Sequence, residues 1–304
     1  MTHYICIDIG GTSIKYGIYD DASQQFVRHD STPTHADQGG PHIVITVLGL
    51  IEDLSHAATA PLYGICVSTA GMVDCATGSI AYSSELIPRY TGTPLKSMIE
   101  QQTGLPCEVE NDVNCAGLAE YHAGNARGAK TALCLTVGTG IGGSYIDHGR
   151  VLHGAGGSAC EVGYIHLPGG DFQDLASTTA LVRRVATRKN MQAEDLSGKR
   201  IFELAQQGDT DCAEAINTMT TYLGMGIANI CYVLNPEVVI LGGGIMAQSD
   251  YLGGPIRRAL DDNLRKPVAR ATSLRFAHHR NRAGMLGAYY HFRYMQESRK
   301  HGSF

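Results

Sequence analysis

The sequence predicts an α/β protein made of two related halves. Two observations carry this reading. A short apolar strand, a glycine turn and a second strand occur at residues 4–19 and again at 131–147. Around them, short β-branched apolar runs bounded by glycine or proline alternate with longer stretches at helical spacing, which is the pattern of strand–helix units. A device repeated about half a chain apart points to duplicated halves rather than to a solenoid of short repeats.

The elements follow in order. Residues 4–9 form an apolar, β-branched run that reads as a buried strand, broken by Gly10-Gly11-Thr12. Ile14, Tyr16 and Ile18 then alternate with Lys15 and Gly17, the period of a strand. A third strand is expected at 26–32 and a helix at 42–58, where Val44, Val47, Leu48, Ile51 and Leu54 share one face. Residues 62–68 are a strand ending at Thr69-Ala70-Gly71. A helix at 95–102 is stopped by Gly104 and Pro106. The strand at 107–110 runs into Asn111-Asp112 and a helix at 113–123. Residues 124–130 are a connector, and the main domain boundary is expected there. The second half has strands at 131–137 and 144–147 about the glycine run 138–143, then helices at 178–189, 200–207 and 210–233. A strand at 238–241 ends in Gly242-Gly243-Gly244, and helices near 250–264 and 283–299 close the chain.

Composition narrows the function. A chain of 304 residues with 43% hydrophobic and 17% charged residues can bury a large core, so wholesale disorder is excluded. The net charge of −5 argues against a broad nucleic-acid footprint. Nine cysteines without a CxxC pair read as buried thiols in a reducing compartment. The start lacks a basic, then apolar, leader, and no apolar run reaches the roughly 18 residues of a membrane span. A soluble, cytoplasmic protein is expected.

Several motifs can carry chemistry. Asp8-Ile9-Gly10-Gly11-Thr12 sets a carboxylate at a strand end before residues whose backbone amides can approach an anion, and the carboxylate can hold Mg²⁺ through water. The same residues can also be a plain hairpin turn. Gly138-Thr139-Gly140-Ile141-Gly142-Gly143 matches GxGxxG formally, but a strand rather than a helix follows, so a dinucleotide fingerprint fails on context. A second phosphate hairpin fits better, and no P-loop motif occurs. In Glu110-Asn111-Asp112-Val113-Asn114, Asp112 is either a helix N-cap or the proton acceptor for an attacking hydroxyl. Glu161 can accept hydrogen bonds from sugar hydroxyls or be an ordinary exposed glutamate. Gly242-Gly243-Gly244 can lie against a nucleotide or simply open a helix.

Together and in this order, the motifs resemble the ROK family of sugar kinases and repressors. The matching pieces are Asp8-Ile9-Gly10-Gly11-Thr12 with Lys15, Ser68-Thr69-Ala70-Gly71, Glu110 to Ala116, Leu135 to Gly143, Glu161-Val162-Gly163 and Ile240 to Ile245. The resemblance implies an actin-like ATPase, ribonuclease-H-like fold of two α/β domains flanking an active-site cleft. The domains would be 1–122 with 285–304, and 123–284, the last helix crossing back to the first domain. It implies an ATP- and Mg²⁺-dependent sugar kinase with Asp112 as catalytic base. Asp8 would assist Mg²⁺ through water. Gly10, Gly11, Thr12, Lys15 and Gly138, Thr139, Gly140 would surround the phosphates, and Gly242, Gly243, Gly244 would approach the adenosine. Gly71, Asn111, Asp112 and Glu161 would line the sugar. A homodimer is expected by analogy, with no nucleic-acid or membrane partner. A repressor of the family would need a helix-turn-helix ahead of the first strand, and residue 4 leaves no room for one.

Two departures matter. The zinc-bearing branch carries a histidine three residues after the glutamate and a CxCGxxGCxE cluster downstream. Here Tyr164 stands at the first place, and Leu167 to Asp174 contains no cysteine. Structural zinc is therefore not expected, since a tetrahedral site needs four ligands. Gln173 falls near the cluster's final glutamate, and His166 is a candidate to compensate. The pattern resembles the zinc-less branch that includes β-glucoside kinases. Phosphorylation of a hexose or β-glucoside, at the 6-hydroxyl, is the expected activity. Glucokinase or N-acetylmannosamine kinase specificity and a non-catalytic sugar-binding regulator are the alternatives.

Overall fold

The computed structural model describes residues 2–300. The chain forms two compact units. The first gathers the chain up to His122, the segment His153–Ala159 and the chain from Asn281 onward. The second comprises Ala123–Leu152 and Cys160–Arg280.

The first unit starts with β1 (His3–Ile9), β2 (Ser13–Asp20) and β3 (Gln25–Pro33), an antiparallel meander. Helix α1 (Gly40–Ala57) leads to β4 (Leu62–Thr69), which pairs parallel to β1. The hairpin β5 (Met72–Asp74) and β6 (Ser79–Tyr82) follows, then α2 (Leu95–Thr103), β7 (Cys107–Asn111) and α3 (Asp112–Ala123). The sheet order is β3-β2-β1-β4-β7. All seven β1 residues are buried, as their near-continuous apolar run requires of a central strand. Ile43, Val47, Ile51 and Leu54 of α1 pack with Ile5, Ile7 and Ile9 in one cluster, so helical spacing in the sequence became one buried stripe.

The second unit repeats this plan. Strands β8 (Thr131–Val137), β9 (Ile141–Asp147) and β10 (Arg150–Val151) form its antiparallel part. The short hairpin β11 (His166–Leu167) and β12 (Gly170–Asp171) precedes helices α4 (Phe172–Ala176), α5 (Thr178–Lys189), α6 (Gly198–Gln206) and α7 (Thr210–Leu234). Then come β13 (Val238–Gly242), α8 (Ser249–Asn263), α9 (Lys266–Ala271) and β14 (Ser273–Phe276). The order β10-β9-β8-β13-β14 mirrors the first sheet, so the repeat read from the two glycine turns is a repeat of topology. The glycine turn is shorter than the sequence indicated. Gly142 and Gly143 already belong to β9, paired with Thr136 and Leu135. Strand β14, which sequence reading left out, has only four residues, none of them fully buried.

Helix α10 (Ala283–Lys300) belongs to the first unit. Phe292 is fully buried and its ring lies over Tyr4 of β1. Glu108 of β7, also buried, is the anchor. Lys96 Nζ donates to it at 2.8 Å, Gln296 Nε2 at 2.7 Å and Arg299 Nη2 at 3.1 Å. A buried carboxylate is tolerated because its partners neutralise it and fill its lone pairs. Gly287 lets α10 touch α3, since a Cβ there would lie 1.7 Å from the Cys115 carbonyl oxygen. Gly287→Ala gains about 1 kcal/mol of helix propensity. Against this stands an overpacking cost of about 1–3 kcal/mol or more, with backbone as the obstacle. We expect a net fall in stability, measured by urea denaturation; an unchanged or higher midpoint would refute the contact.

Candidate active site

In the first unit, the site residues lie at the ends of β1, β4 and β7. Asp8 stands one residue before the end of β1 and is buried. Ser68 Oγ donates to its Oδ1 at 2.7 Å, and Lys15 Nζ to its Oδ2 at 3.0 Å. The pairing follows from the hairpin register, which sets Asp8 opposite Lys15 on β2 and beside Ser68 on β4. Gly10, Gly11 and Thr12 make the tight connection, in which the Gly10 amide donates to the Ser13 carbonyl at 3.0 Å. Thr34 clamps the turn, its hydroxyl donating to the Gly10 carbonyl at 2.6 Å.

The Asn111–Asp112 corner joins β7 to α3. The capping role that the sequence allowed for Asp112 falls chiefly to Asn111, whose Oδ1 accepts from the amides of Val113 (2.9 Å) and Asn114 (3.1 Å). Asn111 Nδ2 donates to the Gly71 carbonyl at 2.9 Å and to Asp112 Oδ1 at 3.0 Å. Gly71, Asn111 and Asp112 are thus one connected group. Asp112 is half-buried, and burial pushes its carboxyl up to about 7, with the negative charge of Asp8 adding to the effect. Hydrogen bonds from Val113 and Asn111 oppose the rise without cancelling it.

A residue quoted in the motif but not singled out by the sequence supports this corner. Glu110 is completely buried. Its Oε1 accepts from the Asn111 amide at 2.7 Å and from Asn114 Nδ2 at 3.0 Å. Its Oε2 pairs with His153 Nε2 at 2.7 Å, with His291 Nδ1 of α10 3.4 Å away. Burial alone would push the carboxyl up. The His153 hydrogen bond, the charges of His291 and His153 and the Asn114 hydrogen bond outweigh it and hold the group at about 2. The same hydrogen bond raises His153 above the ordinary histidine range, against the opposing effect of its own burial.

In the second unit, Gly138, Thr139 and Gly140 connect β8 to β9, with the Gly138 amide donating to the Gly140 carbonyl at 2.9 Å. The Gly138 carbonyl accepts from the Thr178 amide at 2.8 Å, tying the turn to the start of α5. Gly242, Gly243 and Gly244 follow β13 and open onto a 3₁₀ turn, Gly244–Ala247. Gly243 has φ +104°, and a Cβ on it would lie 2.1 Å from the Val137 carbonyl oxygen. Only glycine fits, and the two glycine turns of this unit are held together by it. Glu161 is exposed and precedes the 3₁₀ turn Val162–Tyr164. Gln173 packs on the glycine turn, its Oε1 lying 2.7 Å from where a Cβ on Gly140 would be. Tyr164 is 63% exposed, and the exposed His166 pairs with Asp171 at 2.5 Å. Within the first unit the structure brings together Asp8 with Lys15 and Gly71 with Asn111 and Asp112. Within the second it brings together the turns at Gly138 and Gly243.

The two sheets of like order, each with a glycine turn between its antiparallel inner strands, are those of an actin-like ATPase. The profile of the ROK family matches residues 4–294. The chain is 31% identical to a glucokinase of Halalkalibacterium halodurans, over 99% of this chain and 98% of that one. It is 32% identical to a β-glucoside kinase of Listeria monocytogenes, over 97% and 98%. A ROK glucokinase of Streptomyces griseus, solved with glucose and AMPPNP, superposes with a TM-score of 0.81 at 28% identity, covering 94% of this chain and 97% of that one. The chain belongs to the ROK family.

The Glu110–His153 pair carries a pH signature. His153, raised above the ordinary histidine value of 6.5, stabilises the fold fully below that pH, and the contribution is lost as pH rises through its folded value. Glu110, lowered from 4.5, stabilises above 4.5 and loses its contribution as pH falls towards about 2. The pair therefore contributes most between pH 4.5 and 6.5. His153→Gln should lower stability there by about 1.5 kcal/mol, the low end for a charged hydrogen bond because the imidazole is partly in water. The loss should shrink at alkaline pH; a pH-independent loss in thermal melts would contradict this account.

Proposed function

We propose that this carbohydrate kinase transfers the γ-phosphoryl group of ATP to a sugar hydroxyl, the 6-hydroxyl of a hexose or β-glucoside, with Asp112 as general base. The observation that carries the reading is Asp112 itself: it is fixed by Asn111 at the end of β7, and its carboxyl is pushed up to about 7. A base works best when its pKa lies near the working pH.

In the proposed step the sugar oxygen attacks the γ-phosphorus as its proton passes to the Asp112 carboxylate. A new O–P bond forms, the bond from the γ-phosphorus to the bridging oxygen breaks, and ADP leaves with the electron pair. Asn111 orients Asp112, and with Gly71 and Glu161 it is proposed to receive the sugar. The amides of Gly10, Gly11 and Thr12 in one unit and of Gly138, Thr139 and Gly140 in the other are the proposed phosphate donors. Gly242, Gly243 and Gly244 are proposed to face the adenosine, and Lys15 the phosphates.

The donor set fits Mg²⁺. Asp8 is a single carboxylate at a strand end, and only a glycine at 284 lets α10 pass beside it, since a Cβ there would lie 2.4 Å from the carboxylate. One carboxylate plus retained waters is how proteins commonly hold Mg²⁺ beside phosphates. When bound with the nucleotide, the ion supplies charge neutralisation on the phosphates. The names of the relatives support glucose and β-glucosides as acceptors to test first, ahead of N-acetylmannosamine.

The decisive assay couples ADP release to Mg-ATP and a panel of glucose, mannose, N-acetylglucosamine, N-acetylmannosamine, cellobiose and gentiobiose. We expect turnover on glucose or on the β-linked disaccharides. Sugar binding without ADP release across the panel would instead identify a non-catalytic regulator.

Asp112→Asn should lower kcat by at least the roughly 10²–10⁴-fold typical of proton-transfer catalysis. Because the folded state favours the protonated carboxyl, Asp112 stabilises only at low pH, and that contribution is lost as pH rises through about 7. The variant should therefore melt no lower than the parent at alkaline pH. The parent's kcat/KM should rise with pH through about 7, as the base ionises. Activity retained in the variant would overturn the assignment of the base.

A further inference from the structure

We propose that Cys75, Glu110 and His153 form a binding site for one zinc-like divalent ion, with the fourth position left to water. The site is separate from the phosphate turns and does not rest on the proposed reaction. It also differs from the family's cysteine cluster, whose place here is taken by the cysteine-free β11–β12 hairpin and α4.

The three donor atoms converge closely enough to share one ion. Cys75 Sγ lies 3.4 Å from Glu110 Oε2 and 3.5 Å from His153 Nε2. Zinc bonds of about 2.3 Å to sulfur and about 2.0–2.1 Å to nitrogen or oxygen, at tetrahedral angles, require edges of roughly 3.5 and 3.3 Å. Two observed edges match. The third, 2.7 Å between His153 and Glu110, opens by about 0.6 Å when the shared proton is replaced by an ion. Among the described residues this is the one group of three or more His, Cys, Asp or Glu donors that converge closely enough for a metal.

Donor chemistry and charge agree with the geometry. A thiolate, an imidazole and a carboxylate suit a borderline-soft cation such as Zn²⁺ and not Mg²⁺ or Ca²⁺. Without metal, the buried Glu110 carboxylate is compensated by an imidazolium at His153. With metal, the Cys75 thiolate and the Glu110 carboxylate together offset the two positive charges. The thiol proton and the imidazolium proton are released to solvent, so the exchange is neutral. Outer contacts are in place, since Glu110 Oε1 is held by Asn111 and Asn114 and its Oε2 is left for the ion. Cys75 and His153 are half-buried, which gives the ion a way in, whereas Glu110 is buried. A bound ion would lock the β5–β6 hairpin and the His153–Ala159 segment onto the strand that ends at Asp112.

The test uses the full chain, stripped with a chelator and titrated with Zn²⁺ alone by calorimetry, in buffers chosen to count released protons. Co²⁺ serves as the spectroscopic probe. One ion per chain, proton release and a thiolate-to-cobalt charge-transfer band with tetrahedral visible bands are expected. Cys75→Ser should abolish the charge-transfer band. Cys75→Ser and His153→Gln should each weaken binding by more than the roughly 10–100-fold cost of losing an outer-shell partner. Absence of stoichiometric uptake, a cobalt spectrum without the charge-transfer band, or equal affinity in parent and Cys75→Ser would each overturn the proposal. Should either variant fail to fold, the parent's cobalt spectrum and proton count decide.

Discussion

A single buried negative charge organises the first unit's functional end. Glu110 has no exposed surface, so its ionised state survives only if every lone pair is used. One oxygen holds the backbone and side chain of the Asn111–Asn114 turn, and the other holds His153. The carboxylate therefore fixes the corner from which Asp112 projects and recruits a segment that lies far away in sequence. Without such a tie, the orientation of the Asp112 carboxyl would rest on Asn111 and the Val113 amide. The separation of two neighbouring acids, Glu110 held near 2 and Asp112 raised to about 7, follows from what each faces. One faces imidazoles and amides; the other is raised chiefly by burial, with a second carboxylate adding to the effect.

Much of the fold was legible in the residues. The apolar runs of β1, β4, β8 and β13 are buried on both faces, and such runs stand out in a sequence. The stripes of α1 and α7 show at helical spacing. The elements that escaped notice are short or half-exposed, such as β10, β14 and α9, where two to six residues carry too few periods to be read. The glycine run at 138–143 misled by three residues because glycine in β9 is needed for close packing: a Cβ on Gly143 would meet the Cys160 carbonyl oxygen at 2.7 Å. A sequence cannot distinguish a turn glycine from a packing glycine.

The candidate site divides in the same way. Residues close in sequence, such as the Asp8 loop and the Asn111–Asp112 corner, were visible because local motif and local geometry coincide. Partners contributed from a distance were not. Ser68 reaches Asp8 across 60 positions, and His153 reaches Glu110 across 43. Ser68 stood in a quoted motif without a role, and His153 has no local pattern that marks it, since a histidine before glycines is ordinary. The second unit's Gly243 was read as a ligand-facing residue, and its φ of +104° adds a reason for glycine that no ligand supplies.

Helix α10 adds a consequence for how the chain is made. Its aromatic and charged anchors, Phe292 on Tyr4 and Arg299 on Glu108, complete a core whose first strand is synthesised at the outset. The intervening second unit, ending at Arg280, has all of its own strands before α10 leaves the ribosome. Domains tend to fold as they emerge, yet here the half that is translated first must wait for the last helix. During synthesis the later unit can close first, while β1 and β4 keep an uncovered apolar face until the final turns of the chain arrive. Truncation near the C-terminus would then strike the oldest part of the nascent protein rather than the newest.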